Sequence, residues 1–372
     1  MSLYLCGMIY NVIGTMSGSS MDGLDIVYAR IEEVGGNWSF EILHGNCVAF
    51  SDSWTQTLHQ LPSLSARDIF LTHTALGRWM GEAIQTFIQQ HQLEHKVHLV
   101  ASHGHTVFHD PAQGTSVQLG DGASIAAITR LPVVSDLRNM DVALGGQGAP
   151  IVPIGEKLFW KQIPYFLNLG GIANISIHAD SRIAFDVCPA NRVLNLLVNE
   201  LGKVYDDKGQ EAAKGSIHDE LLAELNALDY YQQQAPKSLA NEFGTDIVFA
   251  CIQTYDISIQ DKLATMCEHI AVQLWRAVQH YPLPAENLQQ PVTMMVTGGG
   301  AHHTYLVERI QFHLAPLGIQ VYIPDSLVVD YKEALVMGLI GILRWREDVN
   351  VLSSVTGASR DSVGGALWMG QD

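Results

Sequence analysis

Between Asn11 and Ile31 the chain alternates, breaks and alternates again. Val12 and Ile13 lead in. Leu24, Ile26 and Tyr28 then fall on one side of the chain, and Val27, Ala29 and Ile31 on the other. Two β-type runs around a Gly/Ser/Asp turn predict a β-hairpin. The turn is oversized, because a hairpin needs only about two to five loop residues. Alternation over residues 38–50 predicts a third antiparallel strand.

Helical spacing follows. Over 65–90, Ile69, Leu76, Trp79, Met80, Ala83, Ile84, Phe87 and Ile88 recur at three and four, one buried stripe. Ser65 with Asp68 is an N-cap signature. A short buried strand at 97–101 runs into SHGHTVFHD, and a helix at 120–129 precedes a strand at 132–135. The Gly/Pro-rich stretch 136–153 predicts a passage between lobes. Strands then recur at 165–169, 172–178 and 182–187, with a helix over 189–201. Residues 232–244 read as a loop. A long helix over 258–280 carries Leu263, Met266, Ile270, Leu274 and Val278 on its stripe. A strand at 291–297 enters Gly298-Gly299-Gly300, followed by a helix at 305–314, a strand at 319–323 and an apolar helix at 331–346. The small residues of that last helix, Ala334, Gly338 and Gly341 among them, predict close packing on another element. The strand–glycine–strand–strand–helix series recurs about 150 residues on, a coarse duplication that predicts two similar lobes.

Composition narrows the function. With 372 residues, 47% apolar and 16% charged, the chain fits two folded domains and not a disordered one. Its 21 basic and 38 acidic residues give a net charge of −17. That opposes general binding to nucleic acid or anionic membranes, so any phosphate must be held by local loops. Five scattered cysteines without zinc-site spacing predict a reducing, cytoplasmic setting. Neither a signal peptide nor a membrane-spanning run of about 18 apolar residues is read.

Several residues could carry chemistry. In the hairpin turn, Gly18 to Asp25 supply glycines, hydroxyls and backbone N–H groups that could cradle an anion, or could form a plain surface loop. The triple glycine at 298–300, between a strand and a helix, admits a flat ligand or makes a tight turn. Asp186, at a strand tip, is placed as a base or as a helix cap. Glu333 could serve a site or merely stabilise a helix start. His103, His105 and His109 suggest loop or substrate contacts ahead of a metal, because nothing completes a zinc set. Arg138 could meet substrate or pair with Asp136.

Assembled in order, these stretches resemble the anhydro-N-acetylmuramic acid kinases, within the actin, hexokinase and heat-shock ATPase superfamily. The motifs are GTMSGSSMDGLD (14–25), HGHTVFHDP (103–111), QLGDGASIA (118–126), DLRNMDVALGGQGAPIVP (136–153), LNLGGIANIS (167–176), FDVCPANRVLN (185–195), YDDKG (205–209), PKS (236–238), TGGGAHH (297–303) and KEAL (332–335). The first, with GGQGAP, is highly specific; GGG alone is not.

The resemblance implies an α/β, two-lobed actin/hexokinase-like fold, with duplicated ribonuclease-H-like domains around an interlobe cleft. It implies one lobe from 1–148 plus 331–372 and another from 149–330. The implied reaction uses ATP and Mg²⁺. Water opens 1,6-anhydro-N-acetylmuramic acid and O6 is phosphorylated, in cell-wall recycling. Asp186 matches the catalytic base. Gly18, Ser19, Ser20, Met21, Asp22, Gly23, Leu24 and Asp25 match the phosphate hairpin, with Asp22 a metal ligand through water. Gly170 and Gly171 match a second phosphate turn, and Gly298, Gly299 and Gly300 the adenosine side. Arg138, Glu333 and His105 match sugar-contacting positions. The partners are a small amino sugar and ATP, with a homodimer left open.

Departures from the family pattern FDTGPGN are Val187, Cys188 and Ala190. A later Asp is Asn195, HGQT is HGHT at His105, and GGGAHN is GGGAHH at His303. These keep a related sugar or carboxylate kinase, or a non-catalytic ATP-binding homologue, as alternatives. A chaperone or cytoskeletal ATPase is disfavoured, because no β-rich peptide-binding segment is read.

Overall fold

The computed structural model describes residues 7–18, 21–178, 182–235, 237–240, 242–283 and 291–370. It divides into two compact units, Met1–Lys161 with Tyr331–Asp372, and Gln162–Asp330. Residues 149–161, expected with the second lobe, belong to the first unit. Ile151 and Ile154 are buried in its core, and Phe159 and Trp160 pack on Phe40. The stretch expected as an interlobe passage is therefore internal to that unit.

The first unit holds a seven-stranded sheet. Its strands are β1 (Met8–Ser17), β2 (Gly23–Val34), β3 (Asn37–Ala49), β4 (Leu99–Asp110), β5 (Thr115–Leu119), β6 (Val133–Ser135) and, near the C-terminus, β12 (Ala366–Trp368). The second unit holds β7 (Tyr165–Leu169), β8 (Ile172–His178), β9 (Arg182–Pro189), β10 (Val292–Thr297) and β11 (Ile319–Tyr322). In the first sheet the order runs β12-β6-β4-β1-β2-β3, with β5 on β4; in the second it runs β11-β10-β7-β8-β9. β1, β2 and β3 pair antiparallel, as do β7, β8 and β9. β1 then pairs parallel with β4, and β7 parallel with β10; each series continues parallel to β6 or β11. The two sheets thus repeat one strand order, the duplicated ribonuclease-H-like arrangement.

Strand β2 shows why the hairpin forms. Leu24, Ile26 and Tyr28 enter one core, while Val27, Ala29 and Ile31 enter another on the opposite face. A strand buried on both faces holds its register strongly, since a one-residue slip would exchange the two sets. The first core is closed by helix Ala66–Gln90 through Leu76, Met80, Ile84 and Phe87. Its Ser65 cap accepts from the N–H of Asp68 at 3.2 Å. The second is closed by helix Ser326–Trp345. A Cβ on Gly14 would lie 1.9 Å from the carbonyl oxygen of Ala334, so only glycine lets helix and strand approach this closely. In the second unit, helix Ile259–His280 buries the predicted stripe of Leu263, Met266, Ile270, Leu274 and Val278.

Candidate functional site

In the first unit the predicted residues gather around the ends of β1, β4 and β6. The hairpin turn leaves β1 at Gly18 and rejoins the sheet at Gly23; Ser19 and Ser20 lie outside the described residues. The N–H of Met21 donates to the Gly18 carbonyl at 3.3 Å, with Met21 in the left-handed region at φ 57°. A non-glycine residue held there is uncommon and accumulates at functional turns. Asp22 is exposed at the bend. Gly23 is dictated by packing, since a Cβ would meet the Val48 carbonyl oxygen at 2.4 Å. Leu24 points its side chain into the core, so only its backbone is available to a ligand. The Asp25 carboxylate accepts from the thiol of Cys47, its partner across β3. Burial, that bond and the charges of Asp25 and Asp22 push the thiol up to about 12.

His105 is held by a neighbouring strand. Its ring is 3% exposed and its Nδ1 bonds to Ser17 Oγ at 3.0 Å. A buried ring tied to the last residue of β1 steadies the hairpin. Burial, assisted by His59, lowers its pKa and keeps it neutral.

Arg138 sits just after β6. Nε–H donates to His103 Nε2 at 2.7 Å, and Nη1 donates to the Gly148 carbonyl at 2.6 Å. Gly148 is itself held, its N–H donating to Asp141 Oδ2 at 2.7 Å, while Thr356 donates to Oδ1 at 2.7 Å. The GGQGAP loop is therefore the clamp for this arginine. Burial pulls the guanidinium down to about 10 against the opposing charges of Glu333 and Asp141, which leaves it protonated at neutral pH. Burial raises the Glu333 carboxyl above its ordinary value, with Lys332 and Arg138 opposing. The buried pair Lys332 Nζ to Glu156 Oε1, 2.8 Å, pins the helix next to Glu333. Sequence reasoning missed this pair; a lysine inside an otherwise apolar helix was its signal.

In the second unit, β7, β9 and β10 end together, and their ends carry the other predicted residues. Asp186 is half-buried on β9 opposite Asn174 of β8, where the register bulges. Its Oδ1 accepts from Asn174 Nδ2 at 2.8 Å, and its Oδ2 from the N–H of Leu239 at 2.9 Å. Its main chain is fixed as well: Tyr230 Oη donates to its carbonyl at 2.6 Å, and its N–H donates to the Lys237 carbonyl at 3.2 Å. A carboxylate oxygen has two acceptor positions, so each keeps one after these bonds. The arrangement is a carboxylate held in one orientation and not a helix cap. Helix Asn191–Asn199 begins at Ala190 with no side-chain cap. Asn174, Tyr230 and the 237–239 backbone were missed in the sequence, because they join Asp186 only through the fold.

The two glycine turns of this unit meet. Gly298 takes φ +82°, and a Cβ there would strike Asn168 Oδ1 at 2.5 Å and the Leu169 carbonyl at 2.9 Å. Gly300 lies against Leu169 and Asn191, and Asn191 Nδ2 donates to the Leu169 carbonyl at 2.9 Å. At Gly170, by contrast, a Cβ would meet nothing closer than 3.6 Å. Gly171 and Gly299 are nearly as open, the nearest neighbours of a Cβ standing at 3.8 and 3.7 Å. Open glycine backbone beside a packed glycine turn is what close approach of a ligand needs.

Against this geometry stands a comparison with known proteins. A family model described as anhydro-N-acetylmuramic acid kinase matches residues 10–370. The chain belongs to the anhydro-N-acetylmuramic acid kinase family. It is 33% identical to the anhydro-N-acetylmuramic acid kinase of Synechococcus elongatus, over 96% of this chain and 99% of that one. It is 31% identical to that of Coxiella burnetii, over 96% and 97%. Among solved structures, the activator of the 2-hydroxyisocaproyl-CoA dehydratase from Clostridium difficile is similar over 91% of this chain and 96% of its own, at 12% identity and a TM-score of 0.42.

The departures from the family motif have these surroundings. Ala190 is buried, with φ −133° and ψ −108°, outside both the helical and the extended regions. Cys188 and Val187 are buried in the core of the second unit. His303 serves as a helix cap, its Nδ1 accepting from the N–H of Leu306 at 3.1 Å, and its Nε2 lies 3.7 Å from Asp206 of the YDDKG motif. For His103 and His109 the histidine partners are also protein groups. His103 Nδ1 donates to the Gly104 carbonyl at 2.9 Å, and His109 Nδ1 bonds to Ser116 Oγ at 3.0 Å. Among the described residues no three metal-ligating side chains converge, and no helix is long and apolar enough to cross a membrane.

Proposed function

We propose that this chain catalyses the reaction for which its family is named. In that reaction ATP and water convert 1,6-anhydro-N-acetylmuramic acid to N-acetylmuramic acid 6-phosphate and ADP, in cytoplasmic peptidoglycan recycling. The observation that carries the reading is Asp186: a carboxylate fixed by two donors, with acceptor capacity to spare, beside two glycine turns that leave backbone open to a ligand.

The chemistry follows from that placement. Asp186 takes a proton from water as its oxygen bonds to the anomeric carbon. The C1–O6 bond breaks, its electron pair stays on O6, and O6 attacks the γ-phosphorus in line as ADP leaves. There is little covalent work for the protein beyond that base, so positioning and charge stabilisation carry the rest. Gly18 to Asp25, with Gly170 and Gly171, approach the phosphates through main chain, and Gly298 to Gly300 the adenosine. Arg138, clamped by His103 and Gly148, and Glu333 hold the sugar. The residues present fit Mg²⁺ only as a phosphate-borne ion. Asp22 would meet it through water, as expected for an ion that keeps much of its hydration, and its chemistry would be neutralising phosphate charge.

Mass detection of the 6-phosphate after incubation with the anhydro sugar and Mg-ATP tests the reading. An Asp186→Asn variant should lose roughly two to four orders of magnitude in turnover while binding nucleotide normally. Faster turnover of an open sugar than of the anhydro form would favour the related-kinase alternative raised by Asn195. Light scattering decides whether the working form is a homodimer.

A further inference from the structure

An acidic chain that handles a polyanion must place its few cations with care. In the second unit, Arg192 is a cation to which the reaction above gives no task. It is the second residue of helix Asn191–Asn199, directly beside the Gly170-Gly171 turn. The main-chain donors of that helix start are already engaged. Ala190 and Arg192 donate to the Gly171 carbonyl at 2.8 and 3.4 Å, and Asn191 donates to the Gly170 carbonyl at 3.1 Å. A ligand at the turn therefore gains no donor from these three amides.

The Arg192 side chain runs between two glycines. A Cβ on Gly171 would lie 3.8 Å from its Cβ and Nε, and a Cβ on Gly244 would lie 3.7 Å from its Cδ. Gly244 belongs to the π-helix Phe243–Phe249, a rare conformation that is frequent at functional sites. Nε–H is buried and donates to nothing. Among the described residues no carboxylate forms an ion pair with this guanidinium. A buried donor on a permanently charged group is costly to leave unpaired. An anionic oxygen at the turn would satisfy it, and a guanidinium suits phosphate with its planar fork of donors.

We propose that Arg192 binds a phosphate of the nucleotide at the Gly170-Gly171 turn. This rests on the kinase reading above. The carboxylate of the sugar is the other source of the same anionic chemistry.

The test is nucleotide titration by calorimetry without sugar, then steady-state kinetics, on wild type, Arg192→Met and Arg192→Lys. Arg192→Met should weaken ADP and ATP binding about tenfold or more, with the sugar KM within about twofold. Arg192→Lys should recover part of the loss, since it restores charge but not the fork. Without nucleotide, the urea midpoint of Arg192→Met should equal or exceed that of wild type, because an unpaired buried donor has been removed. A merely structural arginine would lower it. Unchanged nucleotide affinity overturns the proposal, and so does a selective rise in sugar KM, which would give the contact to the carboxylate. Because nucleotide binding is read without sugar, the result stands even if wild type makes no phosphorylated sugar, an outcome that would sink the kinase reading alone.

Discussion

Arg138 and His103 form a directed pair: Nε–H of the arginine donates to Nε2 of the histidine at 2.7 Å. The histidine must therefore carry its own proton on Nδ1, where it donates to the Gly104 carbonyl. Burial and the adjacent guanidinium hold its pKa down at about 3, so it remains a neutral acceptor at any working pH. His103→Ala removes that acceptor and leaves Arg138 tied only through Gly148. A hydrogen bond to a charged group contributes about 1.5–3 kcal/mol, so the sugar KM should rise roughly ten- to a hundredfold. The ATP KM should hardly move, and a larger effect on ATP than on sugar would contradict the assignment of Arg138 to the sugar.

Two buried histidines make stability depend on acid in a defined window. His103 and His269 are both held at about 3, chiefly by burial. His269 has no exposed surface, and its ring nitrogens bond to Asn226 Oδ1 and Tyr231 Oη at 2.8 and 2.9 Å. Below an ordinary value of about 6.5 the unfolded chain takes up protons that the folded chain refuses. Stability should therefore be flat above about pH 7 and fall as pH drops from about 6.5 towards 3, by up to about 1.4 kcal/mol per pH unit for each ring. Urea midpoints measured from pH 7.5 to 5 should show this slope, and His269→Gln should flatten it by its share. An unchanged slope in that variant would mean the ring is protonated in the fold.

How far the sequence reveals this architecture depends on which forces decide each element. The two faces of β2 were legible because alternate residues enter different cores. Helix starts at Ser65 and Ser258 were legible because capping is local; both side chains accept from the N–H three residues on. Helix Ser326–Trp345 begins before the expected 331. Asp325, whose Oδ1 accepts from the N–H of Val328, caps it ahead of the apolar run. The π-helix at Phe243–Phe249 lies partly in the expected loop, because glycine, proline and glutamine obscured any period there. In the site, glycines and acids could be named from motifs. Their supports could not: Asn174 beside Asp186, or Ser17 beside His105, meet only through strand pairing. The same limit hid the burial of His105, which is a property of the packed sheet.

Gly170 and Gly298 should respond differently to the same substitution. At Gly298 a Cβ meets Asn168 and Leu169 below 3 Å and the backbone is left-handed, so Gly298→Ala should cost about 1–2 kcal/mol of stability. At Gly170 a Cβ meets nothing closer than 3.6 Å, so Gly170→Ala should leave the urea midpoint within about 0.5 kcal/mol of wild type. If phosphate approaches the Gly170 backbone, that stable variant should still bind ATP about tenfold more weakly. Normal ATP affinity in Gly170→Ala would remove this turn from the nucleotide site.

The Lys332–Glu156 pair gives a prediction that separates support from chemistry. Both side chains are almost wholly buried, 5% and 3% exposed, and the ions stand 2.8 Å apart. Lys332→Met removes the charge facing a buried carboxylate, and losing one partner of such a pair costs about 3–5 kcal/mol. Lys332→Met with Glu156→Gln removes both charges and should recover most of that loss, because desolvating the pair had opposed its attraction. Since Lys332 adjoins Glu333, the single variant should also raise the sugar KM more than the ATP KM, and the double variant should restore much of it. Urea unfolding and steady-state kinetics on the four proteins of this cycle give the coupling. A double variant no more stable than Lys332→Met alone would show that the lysine holds this helix by contacts other than its charge on Glu156.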